Sequence, residues 1–295
     1  MRFVTLFLFT LFAAATWLPQ CALAQPSKVF VASTGADTNP GSREAPKRSF
    51  QSAHDAVADE GDIVVLDTAG YGKLLITKSV SVIVPPGVNG FITQTDGSRA
   101  VEISAGSNGR VVLNGLVIES SNRQGQGIRV NSAGHVQIED CKIRGFASGI
   151  YVDAITSMNV VVRGGSINYV IGGLGVLATP NAIAVNVSVS DHLVMNATGA
   201  YAVSAFGSTS TARLVASRCT VANGPLSNTP SVRNGAAFQV NTGGSIVADG
   251  CTISGSTYAF LRDNNSGNVY SRGNNTFFNN DYLINSGSVQ PYAGQ

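Results

Sequence analysis

Arg129, Arg144, Tyr151, Asp153, Arg233 and Gln239 are the residues of this chain whose types suit a sugar-binding groove. An arginine grips a carboxylate through two parallel hydrogen bonds. A tyrosine offers a flat apolar face with a hydroxyl at its edge. Asp and Gln supply the acceptors and donors that sugar hydroxyls require. Spacing supports the grouping. Arg129 and Tyr151 hold matching places in Gly127-Ile128-Arg129-Val130 and Gly149-Ile150-Tyr151-Val152, and Asn131 and Asp153 follow two residues later in each.

Catalysis makes stricter demands. Glycoside hydrolysis needs two carboxyl groups facing one site. Glu139 and Asp140 are adjacent in sequence, but the bend expected there turns their side chains apart. His54, His135 and His192 do not cluster, so no Ser-His-Asp set is expected. No Cys-x-x-Cys or His-x-x-His spacing announces zinc. No cofactor is called for. Asp37 and Asn39 invite a calcium ion, or else a turn closed by their side chains on their own backbone.

Position in a repeat is what groups these residues. Taking Cys141 as reference, Val136 and Ile138 lie five and three residues before it and Ile143 two after. Leu116, Gly165, His192, Cys219 and Cys251 have equivalent apolar neighbours, and the pattern fades at Asn275. The steps between references are 25, 24, 27, 27, 32 and 24 residues. Self-similarity at such a period indicates a solenoid. The apolar places form two runs of period 2, the strand period, separated by one extra residue that must bend the chain. A further short strand follows: Gly127–Val130, Gly149–Val152, Gly175–Ala178 and Ala236–Val240. Three strands per turn predict an all-β, right-handed parallel β-helix over about residues 62–285, with a tail at 286–295. Cys141, Cys219 and Cys251 then point inward as small apolar side chains. Cys219 and Cys251 fall on adjacent turns, where a bridge is a second possibility.

The amino terminus reads as a secretory signal: Met1-Arg2, an apolar run from Phe3 to Leu18, then Ala22-Leu23-Ala24 and cleavage before Gln25. The expected location is therefore secreted or periplasmic, with no membrane span left after cleavage. Cleavage removes one of the 19 Lys and Arg and none of the 17 Asp and Glu, leaving a formal charge of +1. A balance so near neutral argues against nucleic acid as the partner.

Residues 25–61 form a cap in this reading. Ser49 suits the N-cap of a helix over 49–59, Phe50, Ala53 and Val57 its apolar face, and Gly61 its end. Here Val31-Ala32-Ser33-Thr34-Gly35-Ala36-Asp37-Thr38-Asn39-Pro40-Gly41, followed by Ala45-Pro46-Lys47-Arg48-Ser49-Phe50-Gln51-Ser52-Ala53, resembles the opening of secreted parallel β-helix proteins of the pectate-lyase-like superfamily. The resemblance covers the mature chain and implies the architecture. It does not imply one activity. The adjacent Asp pair and Gly-His-Gly of β-helical polygalacturonases have no counterpart here. For a pectate-type lyase, Lys142, Arg144 and Arg163 would supply bases. The Ca²⁺ site that such enzymes build from Asp residues would fall on Asp140 and Asp191, but these lie two turns apart, roughly 10 Å, too far to share one cation, so the lyase resemblance fails at its metal.

Two functional readings follow. One is a non-catalytic protein that binds a polysaccharide or a surface partner, or serves a structural role, using a groove floored by Arg129, Tyr151, Asp153 and Gln239 near Arg144. The loop Ala222–Asn234, with Arg233, would border it. The other is a lyase or hydrolase acting on an acidic polysaccharide.

Overall fold

A computed structural model describes residues 24–206, 209–223, 234–262, 267–284 and 288–292. Residues 1–23, where the signal peptide is expected, and residues 224–233 of the expected groove-bordering segment, which include Arg233, lie outside the described residues.

All the strand pairing is parallel, and it joins each turn of the chain to the next. An 11-stranded sheet makes the first face, in the order in which its strands occur along the chain. It includes Arg110–Asn114, His135–Glu139, Met158–Arg163, Ala184–Ser190 and Thr211–Ser217. A 16-stranded sheet supplies the other two faces. The second face carries Leu116–Ser120 and Lys142–Arg144, and the third carries Arg99–Ser104, Gln126–Ser132, Ser148–Ala154 and Asn234–Val240. Ser166–Ala178 and Leu193–Ala205 run unbroken through both. The chain is a parallel β-helix.

The register is the one the repeat dictates. Val136 and Ile138 pair with Val111 and Leu113 on one side and Val160 and Val162 on the other, and all six are buried. The residue just before each reference is the bend. Gly115, Asp140, Gly164, Asp191, Arg218 and Gly250 all have φ between 50° and 76°. That left-handed step turns the chain so that the next side chain again points inward. Four residues after the reference lies a second left-handed row, Gly145, Tyr169, Asn196, Gly255 and Asn279. Four of its five members are Gly or Asn, the types that tolerate the left-handed region best, with Tyr169 the exception.

The third face departs from the sequence reading by a two-residue slip. Ile150, Tyr151 and Val152 pair with Leu174, Gly175 and Val176, so Gly173 and not Gly175 matches Gly149. The glycines there are required by close stacking. A Cβ on Gly149 would lie 2.8 Å from the carbonyl oxygen of Gly173. Inside the same face Tyr201, Phe238 and Phe260 stack at centroid distances of 5.1 and 5.5 Å.

The amino-terminal end is closed by strand Lys28–Val31, which pairs with Gly61–Val65, and by helix Phe50–Ala56. Ser49 caps the helix by accepting from the Ser52 amide. The helix stops at Ala56, five residues before Gly61, which instead opens a strand. Asp37 does not close its own turn. Its carboxylate accepts from the Arg48 and Ser49 amides and from the Ser49 and Ser52 hydroxyls, which fixes the start of the helix. Asn39 donates to the Pro46 carbonyl. No helix among the described residues is long and apolar enough to cross a membrane.

Candidate functional site

The outward side chains of the third face form rows along the solenoid axis. One row is Glu102, Arg129, Tyr151, Gly175, Ala202, Gln239 and Leu261. Arg129, Tyr151 and Gln239 thus share one line. Tyr151 and Gln239 stand three rungs apart, about 14 Å. Gly175 and Ala202 between them leave the floor low. The ring of Tyr151 leans over Gly175, where an added Cβ would meet ring carbon Cδ2 at 3.0 Å.

The adjacent row carries Asp153, Leu177 and Ser204. Arg129 crosses between the rows. Its terminal nitrogen donates to the Asp153 carboxylate, and its Nε donates to Asn131 Oδ1 at 2.7 Å. Asn131 donates in turn to Glu102 Oε1 at 2.6 Å and to Ser104 Oγ at 3.1 Å. Arg99 donates to the second Glu102 oxygen at 3.0 Å. Two guanidinium groups and two carboxylates are therefore linked through Asn131 in one continuous chain, Asp153–Arg129–Asn131–Glu102–Arg99. Its net charge is zero, and donors and acceptors alternate along it. Burial raises the Tyr151 hydroxyl above its ordinary pKa, with Asp153 adding to the shift and Arg129 opposing it. The phenol stays protonated and can both donate and accept.

On the turn leading into this face a polar cavity of about 500 Å³ opens beside the network, lined by Ser98, Arg99, Gln126, Arg129 and Ser148 among others. Arg99 and Glu102 carry no signal in the sequence repeat. The repeat is indexed from Leu116 onward, so the turn that holds them precedes the first aligned unit.

Arg144 is placed elsewhere. It ends a second-face strand between Glu119 and Asn168, is exposed, and is separated from the third face by the turn at residues 145–147. Lys142 shares that strand. Gln239 donates to Asn241 Oδ1 on its own coil at 3.3 Å. Glu139 and Arg163 face each other on the first face at 4.0 Å, a loose pair with Arg163 largely exposed and of small energetic weight.

The other chemically capable groups are engaged in the core or at the exposed bends. His192 is buried, and its Nδ1 lies 3.2 Å from the Tyr201 hydroxyl. Burial lowers its pKa to about 4. Cys141, Cys219 and Cys251 are free thiols in the interior. Burial pushes Cys141 up to about 12. Asp191 is held by Arg218 through two hydrogen bonds of 2.7 Å. Asp140 packs over Gly164 instead, so the two aspartates do not converge. No group of three or more His, Cys, Asp or Glu among the described residues is placed to hold a metal ion.

Fold and site together define a class: a parallel β-helix whose third face carries a charge-balanced polar network. No family model and no curated protein matches the sequence. A search of solved structures returns a chain described as a rhamnogalacturonan lyase, at 10% identity and a TM-score of 0.46, covering 90% of this chain and 84% of that one. The fold rests on the strand pairing above.

Proposed function

We propose that this protein works outside the cytoplasm and binds a neutral oligosaccharide along its third face. The reading is carried by one observation: Tyr151 lies over Gly175 beside the charge-balanced Asp153–Arg129–Asn131–Glu102–Arg99 chain of hydrogen bonds. A sugar ring presents apolar C–H groups on its face and hydroxyls at its rim. The first match an aromatic ring. The second match alternating donors and acceptors already fixed in place, which lowers the entropy lost on binding. A polyuronate would instead need unpaired cations, and both Arg99 and Arg129 already hold carboxylates. Neutral glycan therefore replaces acidic glycan as the favoured partner.

The test is a glycan array read with wild type and with a Tyr151→Ala, Arg129→Ala double variant. Retention of neutral glycans by wild type and their loss in the variant are expected. Binding that survives both changes removes the third face from consideration.

A hydrolase is the second reading, and Glu102 and Asp153 favour it. They stand on one face, roughly two rungs or 10 Å apart, with Arg129 and Asn131 between them. That is slightly beyond the usual separation for inversion with water, roughly 6.5–9.5 Å. Release of reducing ends from a polysaccharide panel, abolished by Glu102→Gln and by Asp153→Asn, would establish it. No release by wild type leaves the binding reading in place.

A further inference from the structure

A second polar cavity, of about 490 Å³, lies at the corner where the third face turns into the first. Its lining is Ser107, Asn108, Arg110, Gly134, His135 and Asn159. Strand pairing explains the convergence. His135 is the register partner of Arg110 on one side and of Asn159 on the other, so three outward side chains from successive coils form one row at about 4.8 Å spacing. The residues are 25 and 24 positions apart in sequence, which is why His135 looks isolated there.

The lining differs from the third-face network in one respect. It contains an arginine, an imidazole, two amides and a hydroxyl, and no carboxylate. Among the described residues no ion pair joins Arg110 to a carboxylate; Arg48, Arg123 and Arg213 lack one too but donate to carbonyl or tyrosine oxygens, while Arg99, Arg129, Arg163, Arg218 and Arg272 each face a carboxylate. Asn159 accepts from Asn186 through its Oδ1 at 3.2 Å, which leaves its amide N–H groups as donors. The backbone is already occupied, since the Gly134 and His135 amides both donate to the Gly109 carbonyl. That pair of bonds holds the turn, and therefore the row, in place. An array of donors with one fixed positive charge and no acid is complementary to an oxoanion.

We propose that Arg110, His135 and Asn159 form an oxoanion-binding pocket, which takes a carboxylate or sulfate group. Arg110 supplies the charge and the planar two-point contact. His135 and Asn159 supply single donors from the next two coils. The pocket stands apart from the third-face network and does not depend on the sugar reading. The anion is either free in solution or carried on a saccharide, and the experiment separates the two.

Amide chemical shifts of the labelled protein are followed during titration with sodium sulfate, against sodium chloride at matched ionic strength, and with a glucuronate-containing disaccharide. Saturable shifts at Gly109, Gly134 and Asn159 are expected. Arg110→Ala should weaken binding at least tenfold, Arg110→Lys less, and Arg144→Ala on the second face not at all. Saturation by both titrants identifies a site for the anion itself. Saturation by the disaccharide alone identifies a site for an anion held on a sugar. Absence of saturation with both, or shifts indifferent to Arg110→Ala, overturns the proposal. Arg110 is exposed, so its loss leaves the fold intact, and unchanged amide shifts elsewhere verify this.

Discussion

Arg129 and Asp153 hold each other across adjacent coils of the third face, with side chains only 22% and 20% exposed. Removing one partner leaves the other partly buried with a lost hydrogen bond. Asp153→Ala should therefore destabilise the fold by about 1–3 kcal/mol, whereas the double change with Arg129→Ala should cost less than the sum. A double-mutant cycle of thermal unfolding checks this. Strict additivity would mean the pair does not interact.

The interior register gives a sharper contrast. Ile138 is 1% exposed, while Gln137, its neighbour, faces outward on the first face. An Asp at position 138 would be an unpaired buried carboxylate, costing several kcal/mol, comparable to a whole domain's stability. Ile138→Asp should fail to fold. Gln137→Asp loses the Gln137 Nε2 to Glu139 Oε1 hydrogen bond and sets two carboxylates side by side, so it should cost about 1–2 kcal/mol and still fold. Equal melting temperatures for the two would contradict the register.

Acid should weaken the fold through His192. Its folded pKa is lowered from 6.5 to about 4 by burial, so the folded state disfavours the protonated ring. The contribution is fully present above pH 6.5 and is lost as pH falls from there toward 4. Over that window it amounts to about 3 kcal/mol. His54 shifts in the same direction, again chiefly through burial, and adds to the trend. Its Nε2 accepts from the Thr77 amide, so protonation also breaks the link between the cap helix and the coil beneath. Denaturant titrations at several pH values should show the loss, reduced in His192→Gln. A flat profile would contradict the buried, neutral assignment.

The left-handed positions predict which glycines matter. Gly165 has φ +68°, and a Cβ there would lie 2.2 Å from the Cys141 carbonyl oxygen. Gly273 has φ +80° with nothing within 4 Å. Gly273→Ala should cost about 1–2 kcal/mol from the left-handed conformation alone. Gly165→Ala should cost clearly more, because backbone must move. Similar melting temperatures would show that the coil is looser than its stacking implies.

The legible part of this chain is its interior. Val136, Ile138, Cys141 and Ile143 are buried because alternate side chains of a strand share a side, and each coil must fill the same core. Side chains that face water are not constrained in that way, and the site is made of them. In the repeat Arg144 stands a few residues from Tyr151, but an intervening turn places it on another face. The run Gly172-Gly173-Leu174-Gly175 offers two glycine frames, and pairing with Ile150 and Tyr151 selects the one the sequence pattern did not. Glu102 and Arg99 lie outside the indexed coils. His135 gains its neighbours only from register.

Binding of neutral sugar by the charge-balanced face centred on Tyr151 is measured by calorimetric titration of an array-selected neutral oligosaccharide at low and at high salt. Affinity should be unchanged by salt, since no net charge is neutralised, preserved in Tyr151→Phe and lost at least tenfold in Tyr151→Ala. An affinity that collapses with salt, or that is indifferent to Tyr151→Ala, would contradict it.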